Sequence, residues 1–521
     1  MRKYILSFLL SLLFTGCFKD EGNYDYADGI EIDVQGIEEK YEKKVFQDKL
    51  EITPTVRAVR PEDRCEYLWL IYPEGNTSIE AIDTIAREKD LDWLVDVKPG
   101  SYTIEFIATD CDRLNFFKRC TTKLVASTDY TEGFYVLKET AEGNTELDLH
   151  SFDRNIMQND LLARVHGSAF PGRPDNLGLF FNFNFINEES GEQENERTLN
   201  IITENDAYIL RTTDLTTIRD HSSMFYEKLD DKPYALRNSS MSYSLGNIYL
   251  SSRGASFTQG NRFGWPASIA DYPEMGGSPF GFFDSYAAML NMAIFYYFDS
   301  HTGTFCSLSS VFGKFEMSVF PEGRGIRHRL LHYGAAGLDF NTYTVRHYAL
   351  FQDKDNASKH YLYKFLYSLT IGNDIEISEI PSGSLLNRAD KIILSKEQNF
   401  YYFVADNRLY RYWVDNNQEE ELTLSGISAT EQIVLLKERY YYEQPPLLGG
   451  SPVFSYLVVA TYDGENYRLY FYNTVGGAPA GTPKKTTSGK GKPVDIQYML
   501  PAFTNMNGYY SSYITTQYNE Y

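Results

Sequence analysis

The stretch Phe400-Tyr401-Tyr402-Phe403-Val404-Ala405-Asp406-Asn407-Arg408-Leu409-Tyr410-Arg411-Tyr412-Trp413-Val414 reads as strand, turn, strand. Aromatic and β-branched side chains suit a pleated, packed surface, and an Asp-Asn pair between two such runs is turn chemistry. The same unit recurs at 179–186, at 201–210 across Asn205-Asp206, at 241–251, at 293–305 across 299–303, at 343–367 across Asp355-Asn356, and at 456–472 across Asp463-Gly464. Turns recurring every ~40–60 residues fit blades of four short strands, and the ~390 residues beyond 128 accommodate six to eight of them. The expected fold is therefore all-β, with a β-propeller-like domain over 129–521. Paired β-sandwiches would have the same local signals without a common axis.

Upstream, residues 30–128 carry shorter alternating segments: 51–56, 66–71 around Trp69, and 101–110. Period-2 alternation at this spacing suggests a small β-sandwich of PKD/Ig type, with Trp69 in its core and Pro99-Gly100 turning the chain into the next strand. Composition agrees with a folded β-protein, since 42 Tyr and 34 Phe in 521 residues far exceed what a disordered chain carries. The net charge of −22 grows by two more negative units if Arg2 and Lys3 are removed. Such a surface repels phosphate backbones, so nucleic acid is not expected as a partner.

The first 29 residues carry an address. Arg2 and Lys3 precede an apolar run from Ile5 to Phe14, too short for the ~20 residues of a spanning helix, and the run ends in Leu13-Phe14-Thr15-Gly16-Cys17. This reads as a signal peptide over 1–16 and a lipidated flexible leader over 17–29. The motif resembles the lipobox of bacterial lipoproteins, which implies diacylglycerol and an N-acyl chain on Cys17 and no other cofactor. Lys19, Asp20 and Glu21 resemble the export signal that directs such proteins to the cell surface in the phylum that includes Bacteroides.

A wider resemblance covers roughly the first 140 residues. Cys17-Phe18-Lys19-Asp20-Glu21-Gly22-Asn23-Tyr24-Asp25-Tyr26, the strand around Trp69, Val97-Lys98-Pro99-Gly100-Ser101-Tyr102-Thr103, Thr109-Asp110 and Glu132-Gly133-Phe134-Tyr135-Val136-Leu137 resemble the PKD-like lipoproteins of Bacteroidetes. The resemblance implies an accessory of SusC/SusD-type outer-membrane importers, lipid-anchored at the outer-membrane surface and handling a glycan or an oligopeptide. Between Asp110 and Thr121 the chain departs from that pattern: Cys111 and Cys120 bracket Phe116 and Phe117. In an oxidising compartment these two cysteines either pair across a hairpin or remain free thiols.

Catalytic spacing is poor. His328 and His332 stand four apart, but position 329 is Arg where a zincin-like helix needs glutamate, and no Gly-Xaa-Ser-Xaa-Gly elbow occurs. Asp353-Lys354-Asp355-Asn356 lacks the glycine and terminal glutamate of a calcium loop. No metal site or catalytic residue is assigned, and the chain reads as a non-enzyme that captures or passes nutrient. The rival readings are a surface hydrolase and a purely structural brace. The candidate binding element is the aromatic and glycine-rich segment 261–286, with Arg262, Trp265, Tyr272, Phe283 and Asp284 as ligand contacts, against the plainer reading of an inter-blade connection. Residues 440–452 share that ambiguity, and the lysine-rich segment 476–492 is expected to be a mobile loop.

Overall fold

The computed structural model describes residues 32–499, except 46, 58–63, 76–77, 112–115, 131, 153–155, 188–190, 227–231, 234, 239–246, 253, 260–261, 264–280, 284–292, 312–313, 320–323, 340–343, 368–374, 396–397, 429 and 443–451. The chain divides into two compact units. The first comprises Met1–Tyr41, Lys49–Leu94 and Tyr102–Leu124, and the second comprises Glu42–Asp48, Val95–Ser101 and Val125–Tyr521.

The N-terminal region is a β-sandwich. A five-stranded sheet runs in the order Lys40–Lys44, Phe117–Ser127, Gly100–Asp110, Cys65–Pro73, Asp83–Ala86, accompanied by the pairs Asp33–Gln35 with Thr55–Arg57 and Lys49–Ile52 with Leu91–Leu94. Trp69 lies opposite Phe106 in register, their rings 4.5 Å apart, and both are fully buried. The indole N–H is not orphaned by that burial: it lies 3.1 Å from the Glu88 carbonyl and 3.3 Å from that of Lys89.

The second unit contains seven four-stranded antiparallel sheets among the described residues. Blade 1 combines Lys492–Met499 with Gly133–Glu139, Thr145–Ser151 and Ile156–Gln158. Blade 2 is Pro174–Ile186, Gln193–Thr203, Ala207–Arg211 and Thr217–Asp220, and blade 3 is Ala235–Asn238, Asn247–Ser251, Gly254–Gln259 and Arg262–Phe263. Blade 4 is Gly281–Phe283, Ala293–Asp299, Thr304–Val311 and Lys314–Val319; blade 5 is Arg329–Asp339, Thr344–Gln352, His360–Tyr367 and Ile375–Glu379. Blade 6 is Lys391–Leu394, Phe400–Ala405, Arg408–Trp413 and Gln418–Leu422, and blade 7 is Gln432–Tyr442, Pro452–Tyr462, Asn466–Tyr472 and Lys485–Lys490. The first strand of each blade touches the first strand of the next, and Lys492–Met499 touches those of blades 2 and 7, which closes a ring.

Burial explains why this is a propeller rather than paired sandwiches. All six residues of Phe400–Ala405 and all seven of Thr145–Ser151 are buried, so both faces of these strands are covered. A sheet in a two-layer sandwich would expose alternate residues; a blade between two neighbours buries both faces. The apolar clusters are accordingly shared between adjacent blades, as where Leu394, Tyr401 and Phe403 of blade 6 pack with Tyr348, Leu350 and Leu362 of blade 5. The blades are strand meanders whose turns use the expected residues. Asp406 and Asn407 adopt positive φ of 50° and 61° between Ala405 and its partner Arg408.

Three expectations are corrected here. The described part of 241–251 is not a hairpin, because Asn247–Ser251 is a single strand between Ala235–Asn238 and Gly254–Gln259. Residues 179–186 do not form a hairpin, because they belong to the single strand Pro174–Ile186, which pairs with Gln193–Thr203 beyond the Asn187–Glu192 bond. Nor is 476–492 a mobile loop. It contributes the small hairpin Thr474–Val475 with Ala478–Pro479 and then Lys485–Lys490, the outermost strand of blade 7. That strand alternates intermediate and exposed positions, so its polar composition reflects an edge strand.

Candidate functional site

The sequence-predicted binding element falls largely outside the described residues. Trp265, Tyr272 and Asp284 lie in that undescribed part, and Arg262 and Phe283 are placed only as backbone: Arg262 in the outermost strand of blade 3 and Phe283 in the innermost strand of blade 4. The interval between them therefore joins two successive blades. Cys17, Lys19, Asp20 and Glu21 also lie outside the described residues.

Cys111 and Cys120 are described, and both are free thiols. The hairpin register gives the reason. Asp110 N–H donates to the Phe116 carbonyl at 3.0 Å, so the ladder starts beside Cys111, while Cys120 sits four residues further along the opposite strand. At ~3.4 Å per residue that offset is ~14 Å, whereas a disulfide needs Cα atoms closer than ~7 Å. Residues 111 and 120 flank the turn symmetrically in spacing to the eye but not in register.

The geometry instead gathers charged side chains on the innermost strands of blades 1, 2 and 7. Asp495, fully buried in the last strand of the ring, accepts from Leu177 N–H at 3.1 Å through Oδ2 and from Ile496 N–H at 2.8 Å through Oδ1. Lys437 Nζ and Arg439 Nη2 approach Oδ1 at 3.5 and 3.6 Å. Arg439 also donates to the Ile496 carbonyl from Nε at 2.8 Å and to the Glu438 carbonyl from Nη1 at 2.8 Å. Gln497 Nε2 reaches the Leu177 carbonyl at 3.0 Å. Near this cluster Asp175 is half exposed, 3.9 Å from Lys232 Nζ. Burial nevertheless pushes the Asp175 carboxyl above the usual carboxylate range; Lys232 opposes that rise and the Asp495 charge adds to it.

A second polar system clasps blade 1 to blade 7. Lys138 Nζ lies 2.7 Å from Asp148 Oδ1 and 2.8 Å from Asp160 Oδ1, with Lys138 and Asp148 essentially excluded from solvent. Tyr467 O–H of blade 7 donates to Asp148 Oδ2 at 2.7 Å and lies 2.8 Å from His150 Nε2; Thr487 Oγ1 lies 2.9 Å from His150 Nδ1. Burial raises Asp148 despite the lysine, and burial with the Lys138 charge lowers His150 to about 4, so this imidazole is neutral at neutral pH. Glu146, beside them, takes the N–H groups of Leu162 and Ala163 and so caps the short helix Leu161–His166.

Sequence reasoning missed both systems. Their signal was present: Lys138, Asp148, His150 and Asp495 are charged or polar residues inside otherwise apolar strands, such as Leu147-Asp148-Leu149-His150. Which strands they would bridge depends on ring closure by Lys492–Met499, which no local pattern announces. His328 and His332 are not on a helix: His332 belongs to strand Arg329–Asp339 and His328 precedes it, with its ring stacked on Tyr361 at 4.4 Å. Asp353 accepts from the Asp355 and Asn356 N–H groups, closing the blade 5 turn.

Comparison with known families bears on the N-terminal region. Residues 17–174 match the PKD-like family. The match covers the PKD-like sandwich and continues through the first three strands of blade 1 in chain order, to the start of blade 2. Among solved structures the chain is similar to a putative 6-phosphogluconolactonase from Bacteroides uniformis, at 12% identity and TM-score 0.38 over 71% of this chain and 99% of that one. It is also similar to the dihydro-heme d1 dehydrogenase NirN (12% identity, TM-score 0.27, 68% of this chain and 72% of that one) and to the WD40 domain of SCAP from fission yeast (5%, 0.19, 69% and 78%). No curated protein matches the chain. The propeller assignment rests on the sheet topology.

Proposed function

We propose that this chain is a non-catalytic binding protein, held at the outer-membrane surface by lipid on Cys17, in which a PKD-like domain carries a seven-bladed propeller that captures or passes a glycan or oligopeptide to a SusC/SusD-type importer. The observation that carries the non-catalytic part is the way the propeller's described interior carboxylates are engaged. Asp495, Asp148 and Glu146 each accept from backbone N–H groups, and Glu431 takes Thr461, Tyr470 and Arg468. Groups held this way are satisfied by fixed neighbours and brace a scaffold. The resemblance of 17–26 and of the PKD-like region supports the anchoring and the importer partner.

The test has two arms. Fatty-acid labelling of cells should mark the chain and fail on Cys17→Ala, and protease on intact cells should degrade the wild-type chain. Purified protein should bind glycans or oligopeptides without product formation, and Trp265→Ala should weaken that binding with little change in the melt. Turnover of either ligand, or a labelled Cys17→Ala chain, refutes the corresponding part.

A further inference from the structure

Strand Lys485–Lys490 forms the outer edge of blade 7, paired with Asn466–Tyr472 on one side and, among the described residues, with no strand on the other. One face of it is fixed. Thr487 Oγ1 lies 2.9 Å from His150 Nδ1, Lys485 Nζ sits 4.7 Å over the Phe152 ring, and Gly489 lies so near the Tyr467 ring that an added Cβ would meet it at 2.6 Å. The alternate positions Lys484, Thr486, Ser488, Lys490 and Lys492 are all exposed. Gly491 N–H donates to the Glu465 carbonyl at 2.9 Å, which sets the alternation of the ladder. Thr487 and Gly489 thus turn their backbone groups toward Asn466–Tyr472, and Thr486, Ser488 and Lys490 turn theirs to the open edge.

An open edge invites pairing, and lysine is a common guard on one. Here the guard is also selective. From 484 to 492 the chain has four lysines and no acid, against a net charge of −22 overall. The other outermost strands of comparable length, Lys314–Val319, Ile375–Glu379 and Gln418–Leu422, each carry glutamate. Lys484 and Lys492 form no ion pair among the described residues, and the Lys490–Glu465 pair, at 3.8 Å, leaves both side chains largely in solvent. Lysines opposite lysines disfavour pairing of this edge with the same edge of a second copy, whereas carboxylates opposite them favour it. Between the cations stand only Thr486, Thr487, Ser488 and Gly489, whose small side chains leave room for another backbone.

We propose that the open edge of blade 7 binds an extended acidic peptide as a fifth strand, with the peptide backbone paired to Thr486, Ser488 and Lys490 and its carboxylates set against Lys484 and Lys490. Main-chain addition supplies the affinity, and charge selects the partner. The two lysines stand about 20 Å apart along the strand, so carboxylates six positions apart on the peptide meet both. The site is separate from the contact proposed at Trp265 and needs neither that residue nor the lipid anchor.

The experiment uses the mature-length chain carrying Cys17→Ala and a blocked, fluorescent peptide of alternating Thr and Val with two Glu six positions apart. Fluorescence polarisation should report saturable binding that weakens with added salt and falls about tenfold when Lys replaces both Glu. The acidic peptide N-methylated along its backbone should not bind, since it cannot join a ladder. In the protein, Lys484→Glu/Lys490→Glu should weaken binding about tenfold, and Ser488→Pro, which removes an N–H aimed outward, should abolish it; both should melt as the parent does. Trp265→Ala should bind the peptide like the parent. No binding by the parent, or equal binding of the acidic, basic and N-methylated peptides, overturns the proposal. So does full binding by both edge variants, or its loss in Trp265→Ala, which assigns the peptide to the other site. Concentration-dependent self-association that Ser488→Pro removes also overturns it, because the edge then belongs to a second copy of the chain. Failure of fatty-acid labelling at Cys17, by contrast, overturns the anchor and leaves this result standing.

Discussion

Replacing Lys138 by Met should open the clasp that joins the first blade to the last. The side chain is 1% exposed and its ammonium sits 2.7 Å from Asp148, itself fully buried. Met fills similar volume, so little cavity forms; what changes is that Asp148 keeps its burial and loses its cation. Breaking a buried pair from one side costs about 3–5 kcal/mol, since the remaining charge is left uncompensated. Unfolding entropy of ~2.1 cal/mol/K per residue over roughly 390 residues converts this to a melting decrease of about 4–6 °C.

The loss should depend on pH in a defined direction. Burial already holds the Asp148 carboxyl above the usual carboxylate range, with Lys138 as the largest opposing influence. Without Lys138 it rises further. A carboxyl whose folded pKa exceeds its unfolded one favours the fold below the unfolded value and loses that contribution as pH rises through the folded one. The variant should therefore fall furthest behind the parent at pH 8 and recover part of the gap at pH 5, as falling pH favours the protonated Asp148 carboxyl. Scanning calorimetry at both pH values reads the effect, with Lys49→Met at the exposed Lys49–Asp92 pair as a control expected to leave the melt unchanged. A melting change within about 1 °C, or a gap independent of pH, would refute the account of the clasp.

Other consequences are open to direct measurement. His347 is fully buried, held by Tyr333 O–H at 3.0 Å, and its pKa is lowered to about 3 by burial. A histidine depressed in the fold supports stability above its unfolded pKa of ~6.5 and loses it on acidification, so His347→Phe should flatten part of the decline in melting temperature between pH 6.5 and 4. Mass spectrometry of denatured, non-reduced protein should find Cys111 and Cys120 each alkylated; a linked peptide pair would contradict the hairpin register. Gly303, at φ +67°, faces the Ile326 carbonyl so closely that an added Cβ would collide with backbone, and Gly303→Ala should destabilise by about 1–3 kcal/mol in urea unfolding.

The elements legible in the sequence were those whose cause is local. Asp406-Asn407 announces its turn because those two residues tolerate positive φ, and Phe400–Ala405 announces a strand because five aromatic or β-branched side chains in a row, Phe400 to Val404, suit a strand best. Even the choice between propeller and sandwich was nearly readable there, since an unbroken buried run implies cover on both faces. What the sequence concealed is set by long-range register. Cys111 and Cys120 looked like a staple because their positions about the turn were visible and their offset along the ladder was not. The same holds for the charged systems. Lys138, Asp148 and Tyr467 become one network only when Lys492–Met499 returns to pair with Gly133–Glu139 across more than 350 positions of chain, setting blade 7 against blade 1. A polar residue inside an apolar strand was thus the one local trace of the closure. Its physical meaning follows from desolvation: a buried charge persists only where the fold supplies partners, so Lys138, Asp148 and Asp495 in sequence already implied strands that had to come from elsewhere.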